Sequence, residues 1–89
     1  MDEIPYFYCY LYWKIKEKGR TMFISQSLLC EILSRCAVKN GFSPHFMNRY
    51  IIDDLISLNL LERISSSNYR IIERKECYKK IKRILDIYT

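Results

Sequence analysis

Two periodicities meet in the stretch Tyr50-Ile51-Ile52-Asp53-Asp54-Leu55-Ile56-Ser57-Leu58-Asn59-Leu60-Leu61-Glu62-Arg63-Ile64. Up to Leu58 the apolar residues recur at three- and four-residue spacing. With Met47 they give Met47, Ile51, Leu55 and Leu58 one buried helical stripe, with Tyr50 beside it. From Leu60 the pattern turns β-prone. Asn59 stands at the change, and asparagine is one of the few non-glycine residues that accept the left-handed conformation in which helices often stop. Upstream, Ser43-Pro44 reads as an N-cap followed by proline in the first turn, so the helix spans 43–59. Downstream, Leu60–Ser65 and Asn68–Glu73 are two short β-prone runs joined by Ser66 and Ser67. They predict a hairpin over 60–73.

The rest of the chain is read outward from this centre. Ser25 reads as the N-cap of a helix over 25–38, with Leu28, Leu29, Ile32, Leu33 and Cys36 at helical spacing. A stub strand over 21–24 precedes it. Residues 4–18 fit either a strand, by the alternation of tyrosines with other apolar residues, or a helix, by the spacing of Phe7, Leu11 and Ile15. Pro5 in a first turn, acidic residues before it and Lys18-Gly19 at the end favour the helix. Residues 76–88 predict a last helix with Cys77, Ile81, Ile84 and Tyr88 at heptad-like spacing and Leu85 widening the stripe. The expected fold is mainly α with a small β-hairpin (α+β), in one domain over 1–89, ordered helix, stub strand, helix, helix, hairpin, helix.

That order, with the 50–64 stretch at its centre, resembles the winged helix-turn-helix DNA-binding family over Phe23 to Ile72. The resemblance makes 43–59 the recognition helix and 60–73 the wing. The family usually has glycine at the turn where this chain has Asn59, and its turn between the second and third helices is shorter than the 38–42 loop. With the last helix included, the chain is similar to small dimeric PadR-like regulators and to winged-helix proteins of crenarchaeal viruses and plasmids. The resemblance implies a sequence-specific transcription regulator that binds double-stranded DNA as a homodimer.

A recognition helix reads bases from its N-terminal half. The outward positions there are His45, Asn48, Arg49 and Ile52. Asparagine can pair with adenine and arginine with guanine through two hydrogen bonds, and Ile52 suits a thymine methyl. Asp53 and Asp54 would repel phosphates, which confines the contact to the helix start. On the hairpin, Arg63, Ser66, Ser67, Asn68 and Arg70 suit the DNA backbone or minor groove; Arg63 has Glu62 and Glu73 as alternative partners. Ser25, Gln26 and Ser27, at the start of the second helix, are positioned to hold a phosphate on free backbone N–H groups. Two apolar surpluses point to a homodimer: Tyr8, Tyr12 and Trp13 on the first helix, and Cys77, Ile81, Ile84, Leu85 and Tyr88 on the last. The plainer alternative is that these two stripes pack on each other within one chain.

Composition narrows the classes. The 89 residues carry a net charge of +5, and residues 70–89 hold seven basic against three acidic side chains. A local positive field of this kind suits a polyanion. Only one histidine and two glycines are present, which speaks against triads and glycine-rich phosphate loops, so an enzyme is not expected. Cys9, Cys30, Cys36 and Cys77 form no closely spaced pair, so neither a metal nor a cofactor is expected. No small-molecule ligand is evident. The run Ile4–Trp13 is too short to span a bilayer, and Asp2 and Glu3 stand where a secretory segment would be basic, so no membrane partner is expected. The expected setting is intracellular, in the cytoplasm of a prokaryotic or virus-infected cell, where a disulfide would be exceptional outside hyperthermophiles. Competing functions are a protein-interaction module built on the same fold, and a nonspecific chromatin or segregation DNA binder.

Overall fold

The computed structural model describes residues 4–19, 21–43 and 50–88, with 84–88 described by their backbone alone. Among these residues the order is α1 (Tyr6–Lys18), β1 (Phe23–Ser25), α2 (Gln26–Lys39), α3 (Ile52–Ser57), β2 (Leu61–Ser65), β3 (Asn68–Ile71) and α4 (Lys75–Tyr88). The class is therefore mixed α+β. The first segment is a helix rather than a strand. Pro5 precedes it, with its carbonyl accepting from the Cys9 N–H at 3.1 Å, and Gly19 closes it by donating to the Ile15 carbonyl at 3.0 Å.

Both internal helices stop in the same way. At the end of α2, Gly41 adopts φ 80°. The Gly41 N–H then donates to Val38 and the Phe42 N–H reaches back to Ala37 at 2.8 Å. At the end of α3, Asn59 adopts φ 58°. Its N–H donates to Ile56, and the Leu60 N–H donates to Leu55, both at 3.0 Å. This paired bonding satisfies carbonyls that a helix end leaves orphaned. Asn59 thus carries the conformation that the sequence asks of it, and the chain leaves α3 directly into β2. A wider, π-type turn at Tyr50–Ile51 leads into α3.

The sheet has the order β1-β3-β2, with both pairings antiparallel. The stub strand expected over 21–24 lies at 23–25. Met22 takes a left-handed φ of 65° and bends the chain before the strand begins, while its carbonyl accepts from the Ile71 N–H at 2.7 Å. Ile24 pairs with Tyr69 and Leu61 with Ile71, and all four are buried on the inner face. Phe23, Arg70 and Glu62 form the exposed row on the outer face. Between Arg63 and Ser65 the register of β2 slips by one residue, leaving Ile64 as an exposed bulge.

The core joins Leu11 and Ile15 of α1, Leu29, Ile32, Leu33 and Cys36 of α2, and Ile51, Ile52 and Leu55 at α3 to the inner face of the sheet. A second face of α1 packs on α4, and this overturns part of the expected dimer surface. Tyr12, Cys77 and Ile81 are buried within the single chain, so no second copy can reach them. The Tyr12 hydroxyl donates to the Ile72 carbonyl at 2.5 Å and accepts from the Arg74 N–H at 3.2 Å, which fixes the link from β3 to α4. The rings of Tyr12 and Tyr78 lie 6.1 Å apart. Of the aromatic surplus of α1, Tyr12 is thus absorbed by the last helix. Tyr8 and Trp13 remain half-buried, and the side chains of Ile84, Leu85 and Tyr88 lie outside the described residues.

Candidate nucleic-acid interface

The sheet edge brings two candidate groups together. β1 runs straight into α2, with Ser25 as the last residue of one and the N-cap of the other. Its Oγ accepts from the Leu28 N–H at 3.3 Å, which is why a serine serves here. Ser25 also pairs with Asn68 at the start of β3. The Gln26 N–H donates to the Ser67 carbonyl at 2.8 Å, so the hairpin turn is tied to the first turn of α2. Ser25, Gln26, Ser27, Ser66, Ser67 and Asn68 are all exposed and make one continuous polar surface. The turn is further held by the Ser67 N–H donating to Ser65 Oγ at 3.3 Å and by Asn68 Nδ2 donating to Ser67 Oγ at 3.3 Å.

This arrangement changes how that surface would meet an anion. Two of the N–H groups at the α2 start, those of Gln26 and Leu28, are taken by Ser67 and Ser25. Hydroxyl and amide side chains therefore supply much of the hydrogen-bonding capacity there, alongside what is left of the helix start.

The two hairpin arginines differ. Arg70 is paired with Glu62 at 2.6 Å across the strands. Among the described residues Arg63 has no ion pair; its guanidinium lies over the Tyr69 ring with Cζ 5.5 Å from the centroid. Of its alternative partners, Glu62 belongs to Arg70, and Glu73 is held by Lys16 at 2.5 Å and by the Tyr78 hydroxyl. Arg63 is thus the more available cation, and it is a flat one suited to phosphate.

On the third helix the described residues correct one expectation. Ile52 is buried, at 7% exposure, and packs in the core rather than facing outward. Ile51 and Ile52 are both inside with Leu55, four and three residues further on, while Tyr50 is exposed. His45, Asn48 and Arg49 lie outside the described residues. Asp53 and Asp54 are exposed, and Asp54 accepts a hydrogen bond from the Tyr8 hydroxyl. Burial, together with that carboxylate, pushes the Tyr8 phenol up to about 12. Sequence reading missed this contact, because nothing in the spacing of Tyr8 and Asp54 marks them as neighbours.

The basic charge of α4 sits elsewhere. β3 runs away from the Ser66–Ser67 turn, and α4 starts beyond its far end. Lys79, Lys82 and Arg83 are exposed on it. A separate cleft of about 280 Å³ between α1 and α2 carries Lys14, Lys18, Arg35 and Lys39 around Tyr10 and Cys36. Glu17 and Glu31 offset two of these cations, at 3.7 Å from Lys14 and 2.6 Å from Arg35. Among the described residues no group of three or more His, Cys, Asp or Glu could hold a metal ion, and no helix is long and apolar enough to cross a membrane. No protein-family model, curated protein or solved structure matches the chain.

Proposed function

We propose that this chain is a winged-helix regulator that binds double-stranded DNA sequence-specifically as a homodimer. The observation that carries the reading is the hydrogen bond from the Gln26 amide to the Ser67 carbonyl, which merges the start of α2 with the hairpin turn. In a winged helix the helix before the recognition helix crosses the DNA backbone, so its start and the wing belong on one side, flanking the groove that the recognition helix enters. Asn48 and Arg49 would read bases, and Arg63 with Ser66, Ser67 and Asn68 would meet phosphates. The basic face of α4 contributes long-range attraction to the polyanion. The homodimer rests on the apolar sequence positions Ile84, Leu85 and Tyr88 together with half-buried Tyr8 and Trp13. A two-fold pair of recognition helices would occupy successive major grooves, roughly 34 Å apart.

Selection of bound sequences from a random duplex pool, followed by titration of the selected site against salt, tests this reading. The expected outcome is one palindromic motif, bound with an affinity that falls steeply as salt rises, and a preference that relaxes in Arg49→Ala. Binding without sequence preference would instead make the chain a nonspecific DNA coat. Absence of duplex binding at micromolar protein would favour a protein-interaction module. The exposed Phe23 and Ile64 on the sheet give that second reading its footing.

A further inference from the structure

The Sγ atoms of Cys9 on α1 and Cys77 on α4 lie 3.1 Å apart. Both residues are fully buried, and both are free thiols. They sit 68 positions apart in the chain, on the two helices whose packing closes the domain. A thiol pair gains little from contact alone, because S–H is a weak donor and sulfur a weak acceptor. The approach is, however, close to what a covalent link requires. A disulfide holds its sulfurs at about 2.05 Å, so a side-chain adjustment of about 1 Å separates contact from bond. The other two cysteines are not so placed. Cys30 and Cys36 are six residues apart on α2, a spacing that does not make helix neighbours.

We propose that Cys9 and Cys77 form an intramolecular disulfide that staples α4 to α1. The oxidant is a small-molecule disulfide, R–S–S–R. One cysteine thiolate attacks it, forming a mixed disulfide and releasing one R–S⁻. The second cysteine thiolate then attacks the protein sulfur of that mixed disulfide, forms the Cys9–Cys77 bond and releases the second R–S⁻. The two protons given up by the thiols leave with the two R–S⁻ groups as R–SH, and the two electrons end on R–S–S–R. Exchange proceeds when α4 lifts from α1, since the folded domain buries both sulfurs and burial pushes the Cys77 thiol up to about 12, where thiolate is scarce. Once closed, the staple is shielded from reductant by the same burial. It constrains a long loop, the situation in which a cross-link restricts the unfolded chain most.

The test equilibrates the full chain in buffers of reduced and oxidised glutathione. Trapped thiols are then counted by alkylation in denaturant and mapped by peptide mass. The expected result is loss of two of the four alkylatable thiols and a linked pair of peptides containing Cys9 and Cys77. The melting temperature should rise by roughly 10–30 °C over the reduced protein. The double variant Cys30→Ser, Cys36→Ser should keep the whole shift, and Cys77→Ala should abolish it. Four free thiols in excess oxidised glutathione, a link through Cys30 or Cys36, or equal melting of the two forms would overturn the proposal. The thiol map on the unmutated chain decides even if Cys77→Ala does not fold.

Discussion

The Tyr8 hydroxyl donates a hydrogen bond to the Asp54 carboxylate, joining α1 to α3 across 46 residues of chain. It braces the helix leading into the hairpin against the first helix. Tyr8→Phe removes the donor and leaves the ring in place. The bond is solvent-exposed, so the expected loss is about 1 kcal/mol, or a melting temperature lower by roughly 4–8 °C. Asp54→Asn should lose less than Asp54→Ala, because the amide oxygen still accepts. Unchanged melting in Tyr8→Phe would mean that the two helices are held by apolar packing alone.

Tyr8 and Tyr12 together predict an alkaline transition. Burial is the largest cause in both, and both phenols are pushed from 10.0 up to about 12. As pH rises, the unfolded chain therefore releases these two protons first, near 10. The stability that the neutral phenols contribute is whole below pH 10 and is lost as pH climbs through 12. Ultraviolet titration should show two phenols ionising late, near 12, together with a falling denaturant midpoint over that interval. Tyr12→Phe should remove one of the late ionisations. It should also cost about 1–3 kcal/mol at neutral pH, since the Ile72 carbonyl and the Arg74 N–H lose their partner.

Gly19 is needed for space rather than for backbone freedom. Its φ of −86° is open to any residue. A Cβ there would run into the Cδ1 methyl of Ile71, which is buried. Gly19→Ala should cost about 1–3 kcal/mol through overpacking. In an Ile71→Val background that methyl is gone, and the penalty of Gly19→Ala should shrink. A double-mutant cycle should then give a coupling of at least about 0.5 kcal/mol. Additive effects would place the strain elsewhere, at the approach of α1 to β1.

The helices and the hairpin were legible because local chemistry specifies them. Ser25 caps α2, Asn59 turns left-handed after α3, and the paired serines mark the hairpin turn. What the sequence hides is pairing at a distance. The apolar stripe carrying Cys77 and Ile81 looks the same whether it meets a second copy or the Cys9–Tyr12 face of α1. In the structure the second holds, and Tyr12 finds two hydrogen-bond partners in the link to α4. Ile52 is buried because the apolar stripe is wider than the row Met47, Ile51, Leu55 and Leu58: it lies beside Ile51 and three residues before Leu55, a width that the spacing alone does not fix. The bulge at Ile64 is equally silent in the sequence. Without it, a regular two-residue hairpin would set Arg63 against Arg70, two like charges in direct opposition. With it, Arg70 faces Glu62 and Arg63 faces Tyr69.

That slip in register sets the last prediction. Arg70 is neutralised by Glu62 at 2.6 Å, whereas Arg63 keeps its charge over the Tyr69 ring. If the hairpin meets phosphates as proposed, Arg63→Ala should weaken binding to all duplexes alike. It should also reduce the slope of log affinity against log salt by about one. Arg70→Ala should leave that slope nearly unchanged. Glu62→Gln should strengthen binding by releasing Arg70, with little change in stability, because an exposed pair of this kind contributes about 0–1 kcal/mol. Fluorescence anisotropy across a salt series measures all three. An Arg70→Ala loss as large as that of Arg63→Ala would show that Glu62 yields its partner to the DNA on binding, and the proposed division of labour between the two arginines would fail.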